Sequence, residues 1–443
     1  MKKKLCVFVE NDFILRSYLE TQIFQKISDK YSIELILTHK TNSNLLSGKN
    51  SFPIFCLEKI RFYQLFQTVI SITYWFKKQK QSNSFAARIL SLKLSRRIFY
   101  SKKKSGSFPS FAIVIGLLFA RKNFEVPVKF FSLASRRFWK FLKKSNPDLI
   151  ICITSGAATS NSDLLSFVGK KLRIPVLSVV ENWDNLTSKA VFNIKPDFIG
   201  VWGIKDKQAA IELHDIPEES VFMLGSPRVS QMLKNRPKSS VLGENLLFAG
   251  GSIDIEDELI WLDCVLRFAT ALSIPVIYVP HPSNYNDLSQ IIDSRSDIHA
   301  LIPTEIIGLV LKGGFKRYPK LNFYEEILRK SKVAISPYST LLLESLLYGI
   351  HGVGIDFQDP LQIMDGWASE KLEHLTQLNF FAKYWRATNE NELAEILNRV
   401  INQIDLDSQI DTERTDELLI NPFYYYTENF SQQLILVIEE ILN

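Results

Sequence analysis

Cysteine is scarce in this chain, with four in 443 residues. Cys6, Cys56, Cys152 and Cys264 stand far apart and show no metal-ligand spacing. That excludes a disulfide framework and a zinc knuckle, and leaves small buried hydrophobes of a reducing compartment. Long apolar runs are missing too. The longest, Phe111 to Ala120, is about half of what spans a bilayer, so no transmembrane helix is expected. Lys2, Lys3 and Lys4 resemble the start of a signal peptide, but Glu10 and Asp12 interrupt the apolar run that follows. The first strand lacks a glycine-rich phosphate fingerprint, so dinucleotide binding there is unsupported. No Asp-X-Asp follows a predicted strand, so the sequence demands no metal, and nothing in it points to a cofactor. Internal repeats and low-complexity tracts are absent.

What is present is globular: 46% hydrophobic residues with charges of both signs. The length exceeds one ordinary core, so two domains are expected. Short β-branched runs alternate with helical patterns, which predicts an α/β fold of two Rossmann-like domains. The first covers residues 1–233, the second 245–420, and a C-terminal helix 421–443. Strands are expected at 4–9, 33–38, 148–154, 174–180, 198–202, 245–249, 276–279, 333–336 and, last, 352–356. A helix is expected near 16–28, and a strand or loop at 305–310. Residues 388–443 read as mainly helical apart from Pro422–Tyr426.

Charge is unevenly spread. Between Lys59 and Lys144 there are 20 Lys/Arg and one acid, Glu125, although the whole chain carries only +6, so the remainder is net acidic. Basic residues alternate with aromatics in Arg61-Phe-Tyr, Tyr74-Trp-Phe-Lys-Lys and Arg136-Arg-Phe-Trp-Lys-Phe. The segment 58–145 reads as a basic, largely helical insertion in the first domain. Its bland use is a solvated face. Its functional use is attachment to an anionic membrane surface or acceptor. No nucleic-acid module signature is present, so no nucleic acid is expected as a partner.

Polar residues cluster where strands should stop, which is where open α/β sheets bind ligands. The strand ending at Val279 runs into His281-Pro282. The strand ending at Ser336 runs into Ser339-Thr340, which opens a helix with a stripe of Leu342, Leu343, Leu346 and Leu347. Hydroxyls and backbone N–H groups at a helix start suit an anion, and a histidine adds a donor. Either motif alone is ordinary: a loop dipeptide, or a helix cap. Gly250-Gly251-Ser252 follows another strand and lets backbone approach a ligand. Glu344 binds a ribose hydroxyl or is an exposed helix residue. In the first domain, Glu181-Asn-Trp-Asp184 to Lys189 is a capped turn or a substrate-facing loop, and Glu10 and Asp12 follow the first strand.

Two Rossmann-like domains facing across a cleft, with the linker after Gly225-Ser-Pro-Arg228, resemble the GT-B glycosyltransferase architecture. His281-Pro282 with Ser339-Thr340 resembles the His-Pro and Ser-Ser/Thr motifs of bacterial enzymes using cytidine-nucleotide donors: sialyltransferases, capsule Kdo transferases and the glycerophosphotransferases of teichoic acid synthesis. Pro280 stands where the last group carries arginine. The resemblance implies that His281, Ser339 and Thr340 contact the donor phosphates, with Gly250, Gly251, Ser252, Pro282, Ser336 and Glu344 around them. It implies an inverting transferase of surface-polysaccharide synthesis, cytoplasmic and peripheral on the inner face of the membrane, moving a sugar from a CMP- or CDP-linked donor to a glycan or lipid-linked acceptor. Such a reaction needs a base in the first domain. Asp184 leads the candidates because its loop is richest in hydrogen-bonding groups, and Glu181, Asp12 and Glu10 follow. A uridine-donor transferase or nucleotide-sugar epimerase of the same fold, and a non-catalytic membrane- or polyanion-binding scaffold, are the alternatives.

Overall fold

A computed structural model describes residues 2–38, 52–57, 61–90, 118, 135–156, 160–236, 243–251, 255–311, 318–356, 372–407 and 429–443. It resolves two compact units: Met1–Ser230 with Asn421–Asn443, and Gln231–Ile420.

The first unit is built on seven parallel strands, β1 (Lys4–Val9), β2 (Ser32–Thr38), β3 (Ile54–Leu57), β4 (Leu149–Thr154), β5 (Val176–Val180), β6 (Phe198–Val201) and β7 (Val221–Met223), in the order β3-β2-β1-β4-β5-β6-β7. Both faces of such a sheet must be covered, and the side chains divide accordingly. In β1, Leu5, Val7 and Val9 enter one core while Cys6 and Phe8 enter the other. The helix Phe430–Leu442 contributes Phe430, Leu434, Val437 and Ile438 to the first of these cores, beside Tyr18, Phe24 and Ile27. Lys3 Nζ donates to the Leu442 carbonyl at 2.7 Å, so the last helix is fastened to the start of β1.

The second unit holds β8 (Asn245–Ala249), β9 (Val276–Val279), β10 (Ser331–Ser336), β11 (His351–Ile355) and β12 (Tyr384–Ala387), all parallel, in the order β12-β11-β10-β8-β9. The helix Thr340–Tyr348 after β10 is buried from Leu341 to Tyr348, including Glu344.

Several local expectations change. Residues 305–310 belong to a helix, Thr304–Leu311. An apolar run this short has no decisive period, but Pro303 accepts the first helical N–H groups, and Ile306 and Val310 are buried four apart. The helix expected at 16–28 is two, Asp12–Glu20 and Ile23–Ser28, broken at Gln22 with φ 58°. The short strands β3 and β12 lie at sheet edges, where half-exposed strands carry a weak pattern. β12 also follows the strand taken as last. Cys56 is exposed rather than buried, on the edge strand β3, while Cys6, Cys152 and Cys264 are buried. Residues 390–407 and 430–442 are helical, and Pro422–Tyr426 lies outside the described residues.

Parts of the basic insertion are described: the helix Arg61–Lys78, a helix at 83–90, and the helix Arg136–Ser145. Arg136–Ser145 turns Phe138 and Leu142 into the core of its own unit, with Trp139 and Phe141 partly buried against it. Arg136, Arg137, Lys140, Lys143 and Lys144 are exposed. Its apolar side is thus committed to the protein and its outer side is cationic. The helix Arg61–Lys78 is fixed by His214. Nε2 of that ring lies 2.7 Å from the Leu186 carbonyl, which can only accept, so Nδ1 accepts from Tyr74 Oη at 2.7 Å. Burial lowers the His214 pKa to about 4. Among the described residues no helix is long and apolar enough to cross a membrane.

The returning C-terminal helix should be needed by the first core. Leu434 is 1% exposed, so Leu434→Ala should cost about 2–5 kcal/mol in urea unfolding, the usual range for a buried leucine.

Candidate functional site

The chain leaves β8 for β9 on one side and then returns to β10 on the other. Strand order therefore reverses between β8 and β10, and ligands of open α/β sheets bind outside the carboxyl ends at such a point. Gly250-Gly251 follows β8, His281-Pro282 follows β9, and Ser336 to Thr340 leads from β10 into the next helix. Ala249 pairs with Val279 and Phe248 with Ile335, so these turns leave the sheet at one level. Ser252 lies outside the described residues.

Gly251 rests against the β10 turn, where a Cβ would come within 2.9 Å of Pro337 Cγ and 3.0 Å of the Pro337 carbonyl oxygen. Within that turn Ser336 is fully buried, and its Oγ lies 2.8 Å from Ser339 Oγ and accepts from Ser339 N–H at 3.0 Å. Ser339 is the N-cap residue of Thr340–Tyr348, yet its side chain makes no cap bond. The ordinary explanation for a serine at a helix start does not apply here. Tyr338 sits at φ 61°, a left-handed conformation costing on the order of 1–3 kcal/mol for such a residue. Its ring is held over Gly354 of β11, where a Cβ would come within 2.8 Å, and its Oη accepts from Tyr384 Oη at 3.3 Å.

His281 is half-buried. Its Nδ1 accepts from Ser283 N–H at 3.2 Å and lies 2.6 Å from Ser283 Oγ. In the neutral ring this assigns the proton to Nε2, a donor suited to an anionic oxygen. Glu344 is 3% exposed. That removes the reading of it as an exposed helix residue.

The group that binds these turns together is one the motifs do not contain. Glu258, on the helix Ile255–Ala271, is fully buried. Its carboxylate accepts from Tyr278 Oη at 2.5 Å, Gly251 N–H at 3.0 Å and Asn284 Nδ2 at 3.3 Å, and the backbone N–H of His281 adds a weaker electrostatic pull. A Cβ on Gly250 would collide with the same carboxylate. The close approach these glycines allow is therefore, in part, to Glu258. Burial pushes the Glu258 pKa up to about 7, against the pull of its hydrogen-bond donors.

In the first sheet the order reverses between β1 and β4. Glu10 sits at that point, buried, its Oε2 accepting from Thr154 Oγ1 at 2.6 Å, Ser155 N–H at 2.9 Å and Ser155 Oγ at 3.1 Å. Asp12 opens the helix Asp12–Glu20, behind the Asn11 cap that accepts from Ile14 N–H at 3.1 Å. A carboxylate in a first turn favours the helix dipole. Asp184 is held by Lys189 Nζ at 2.6 Å, Asn182 Nδ2 at 2.9 Å and Ser188 Oγ at 3.3 Å.

Glu181 differs from the other three. It follows β5, half-buried, and lines a cavity of about 10 Å³ with Tyr18, Trp202, Ser226 and Arg228. That is about the space of one water molecule. Burial raises its pKa to about 8; Arg228 and Lys189 pull it down, while Glu10 and Asp184 push it further up. The Arg228 guanidinium lies 4.6 Å from the Phe13 ring centroid, a cation–π contact that fixes its position.

No family model and no curated protein matches the sequence. Solved structures match in fold. The UDP-GlcNAc 2-epimerase of Methanocaldococcus jannaschii superposes with a TM-score of 0.53 at 11% identity, over 99% of this chain and 99% of that one. That of Neisseria meningitidis, bound to UDP-GlcNAc, gives 0.52 at 10%, over 99% and 100%. The Staphylococcus aureus MnaA–UDP structure gives 0.50 at 10%, over 100% and 97%. The chain thus has a GT-B-type α/β fold of two parallel-sheet units.

The Glu181 carboxyl should leave a signature in stability. Between the ordinary carboxylate range and about pH 8 the folded chain keeps a proton that the unfolded chain has released. Stability therefore falls as pH rises through this window. Glu181→Gln should flatten that slope and be the more stable form at pH 8 by on the order of 2 kcal/mol, converging with the wild type near pH 5 in urea titrations.

Proposed function

We propose that the chain is a glycosyltransferase that holds a nucleotide-activated sugar at the carboxyl edge of β8, β9 and β10. The observation that carries this reading is the coincidence of the second sheet's switch point with the Gly250-Gly251 and Ser336–Thr340 turns, flanked by His281. In this reading the His281 Nε2–H and the uncapped start of Thr340–Tyr348, with the hydroxyls of Ser339 and Thr340, hold the phosphate whose charge grows as the glycosidic bond breaks. At Gly250 and Gly251 the space a Cβ would take is filled by Glu258 and Pro337, so these glycines shape the turn beside the phosphate.

Of the four carboxylates, Glu181 suits the base best. Glu10 and Asp184 are occupied by several local donors, and Asp12 by its place in a helix turn. A base works best with a pKa near the working pH, and at about 8 roughly a tenth of Glu181 is ionised at pH 7. The ionised form can take the proton of an acceptor hydroxyl bound in the first unit.

The His281-Pro282 and Ser339-Thr340 motifs favour a cytidine-linked donor and a role in surface-polysaccharide synthesis. A uridine-linked donor, for transfer or epimerisation, is the second reading, favoured by fold neighbours that carry UDP-GlcNAc or UDP. The acceptor in this proposal is a glycan or lipid-linked glycan. The exposed cations of Arg136–Ser145 bring the enzyme to an anionic membrane surface by charge, without inserting apolar side chains.

A thermal-shift panel of CMP, CDP, UDP and ADP tests the donor site. Protection by cytidine nucleotides is expected, and His281→Ala should remove most of it; protection by UDP alone moves the assignment to the second reading. Absence of any shift would reject the nucleotide site. For the surface, Lys140→Glu/Lys143→Glu/Lys144→Glu should release the protein from vesicles containing phosphatidylglycerol, since each cation contributes about 1 kcal/mol. Wild-type binding should weaken as salt rises from 50 to roughly 500 mM.

A further inference from the structure

The geometry points to Glu258 as the positioning residue of the donor site, the group that sets the Gly250-Gly251 turn and the His281-Pro282 turn in register with each other. The inference rests on the donor site proposed above and extends it to a residue outside every motif.

Glu258 touches both turns directly. One oxygen accepts from Gly251 N–H at 3.0 Å, in the first turn, and from Asn284 Nδ2 at 3.3 Å, just after the second, and the backbone N–H of His281 adds a weaker pull on the same carboxylate. The other oxygen accepts from Tyr278 Oη at 2.5 Å, inside the sheet. The Gly251 donor is a backbone group of the first turn, and Asn284 closes the 3-10 turn that begins at Pro282. Without the carboxylate, the Gly251 N–H of one turn and the buried Asn284 amide of the other lose their acceptor, and the turns relax to find others. The exclusion of a Cβ at Gly250 by the same carboxylate shows how tightly the two are packed. From Gly251 the contact passes to Pro337 and so to the Ser336–Ser339 turn. A ligand that meets backbone and side chains from separate loops needs them held within about half an ångström, which is the task of such a supporting group.

Glutamine has the right shape to replace Glu258. Its amide oxygen can take the Gly251 N–H and Asn284 Nδ2 while its NH2 donates to Tyr278 Oη. Alanine can do neither. Phenylalanine at 278 removes only the bond on the sheet side.

The test is calorimetric titration of CDP and UDP into the wild type, Glu258→Gln, Glu258→Ala and Tyr278→Phe, with the Tm of each free protein. Glu258→Ala should bind about tenfold or more weakly, Glu258→Gln within about threefold of wild type, and Tyr278→Phe should lose Tm with affinity kept. If Glu258→Ala does not fold, Gly250→Ala, which displaces the carboxylate from the other side, takes its place with the same expected loss. Wild-type affinity in a folded Glu258→Ala or Gly250→Ala chain overturns the inference and leaves the donor site standing. So does a loss in Glu258→Gln equal to that in Glu258→Ala. A wild type that binds neither nucleotide overturns the donor site, and this inference with it.

Discussion

A buried carboxylate stands where strand order turns back in each sheet, and the loops that matter are tied to it. In the first unit Glu10 gathers Thr154 and Ser155 across β1 and β4. In the second, Glu258 gathers Gly251, Asn284 and His281 beside β8 and β9. Parallel strands buried on both faces bring their carboxyl ends to one edge, and the loops there have few apolar contacts to fix them. A carboxylate accepting several donors in a low dielectric supplies the missing constraint. Its desolvation is costly, which is why Glu258 holds its proton to unusually high pH.

The same carboxyl chemistry serves different ends according to what surrounds it. Glu10 and Asp184 accept from several nearby donors each. Glu181 meets a small cavity with an arginine beside it. All three follow strands β1 or β5, and position alone does not separate them. Hydrogen-bond partners do.

Much of the architecture was legible in the sequence because β-branched runs such as Leu149–Thr154 and Val176–Val180 are buried on both faces and announce themselves by composition. Edge strands such as Tyr384–Ala387 are half-exposed and do not. His281, Ser339 and Thr340 were visible because polar residues after a strand are conspicuous. Glu258 was hidden among Glu256-Asp257-Glu258 at a helix start, where acids are commonplace. The one available signal was spacing: Ile255, Glu258, Leu262 and Val265 fall three, four and three apart and are all buried, which puts that acid on the apolar stripe. The ranking of Asp184 ahead of Glu181 rested on the polar richness of its loop. That richness is what occupies Asp184: Asn182, Ser188 and Lys189 all bond to it.

The closing helix gives the chain an unusual order of assembly. Phe430, Leu434, Val437 and Ile438 complete a wall whose other members, Tyr18, Phe24 and Ile27, are near the amino end. On the ribosome the entire second unit, Gln231–Ile420, is made between them. At 5–20 residues per second that interval is on the order of ten to forty seconds. Throughout it the nascent first unit leaves an apolar strip uncovered, so the growing polypeptide needs shielding by a holdase or by its own later segments until Phe430–Leu442 emerges.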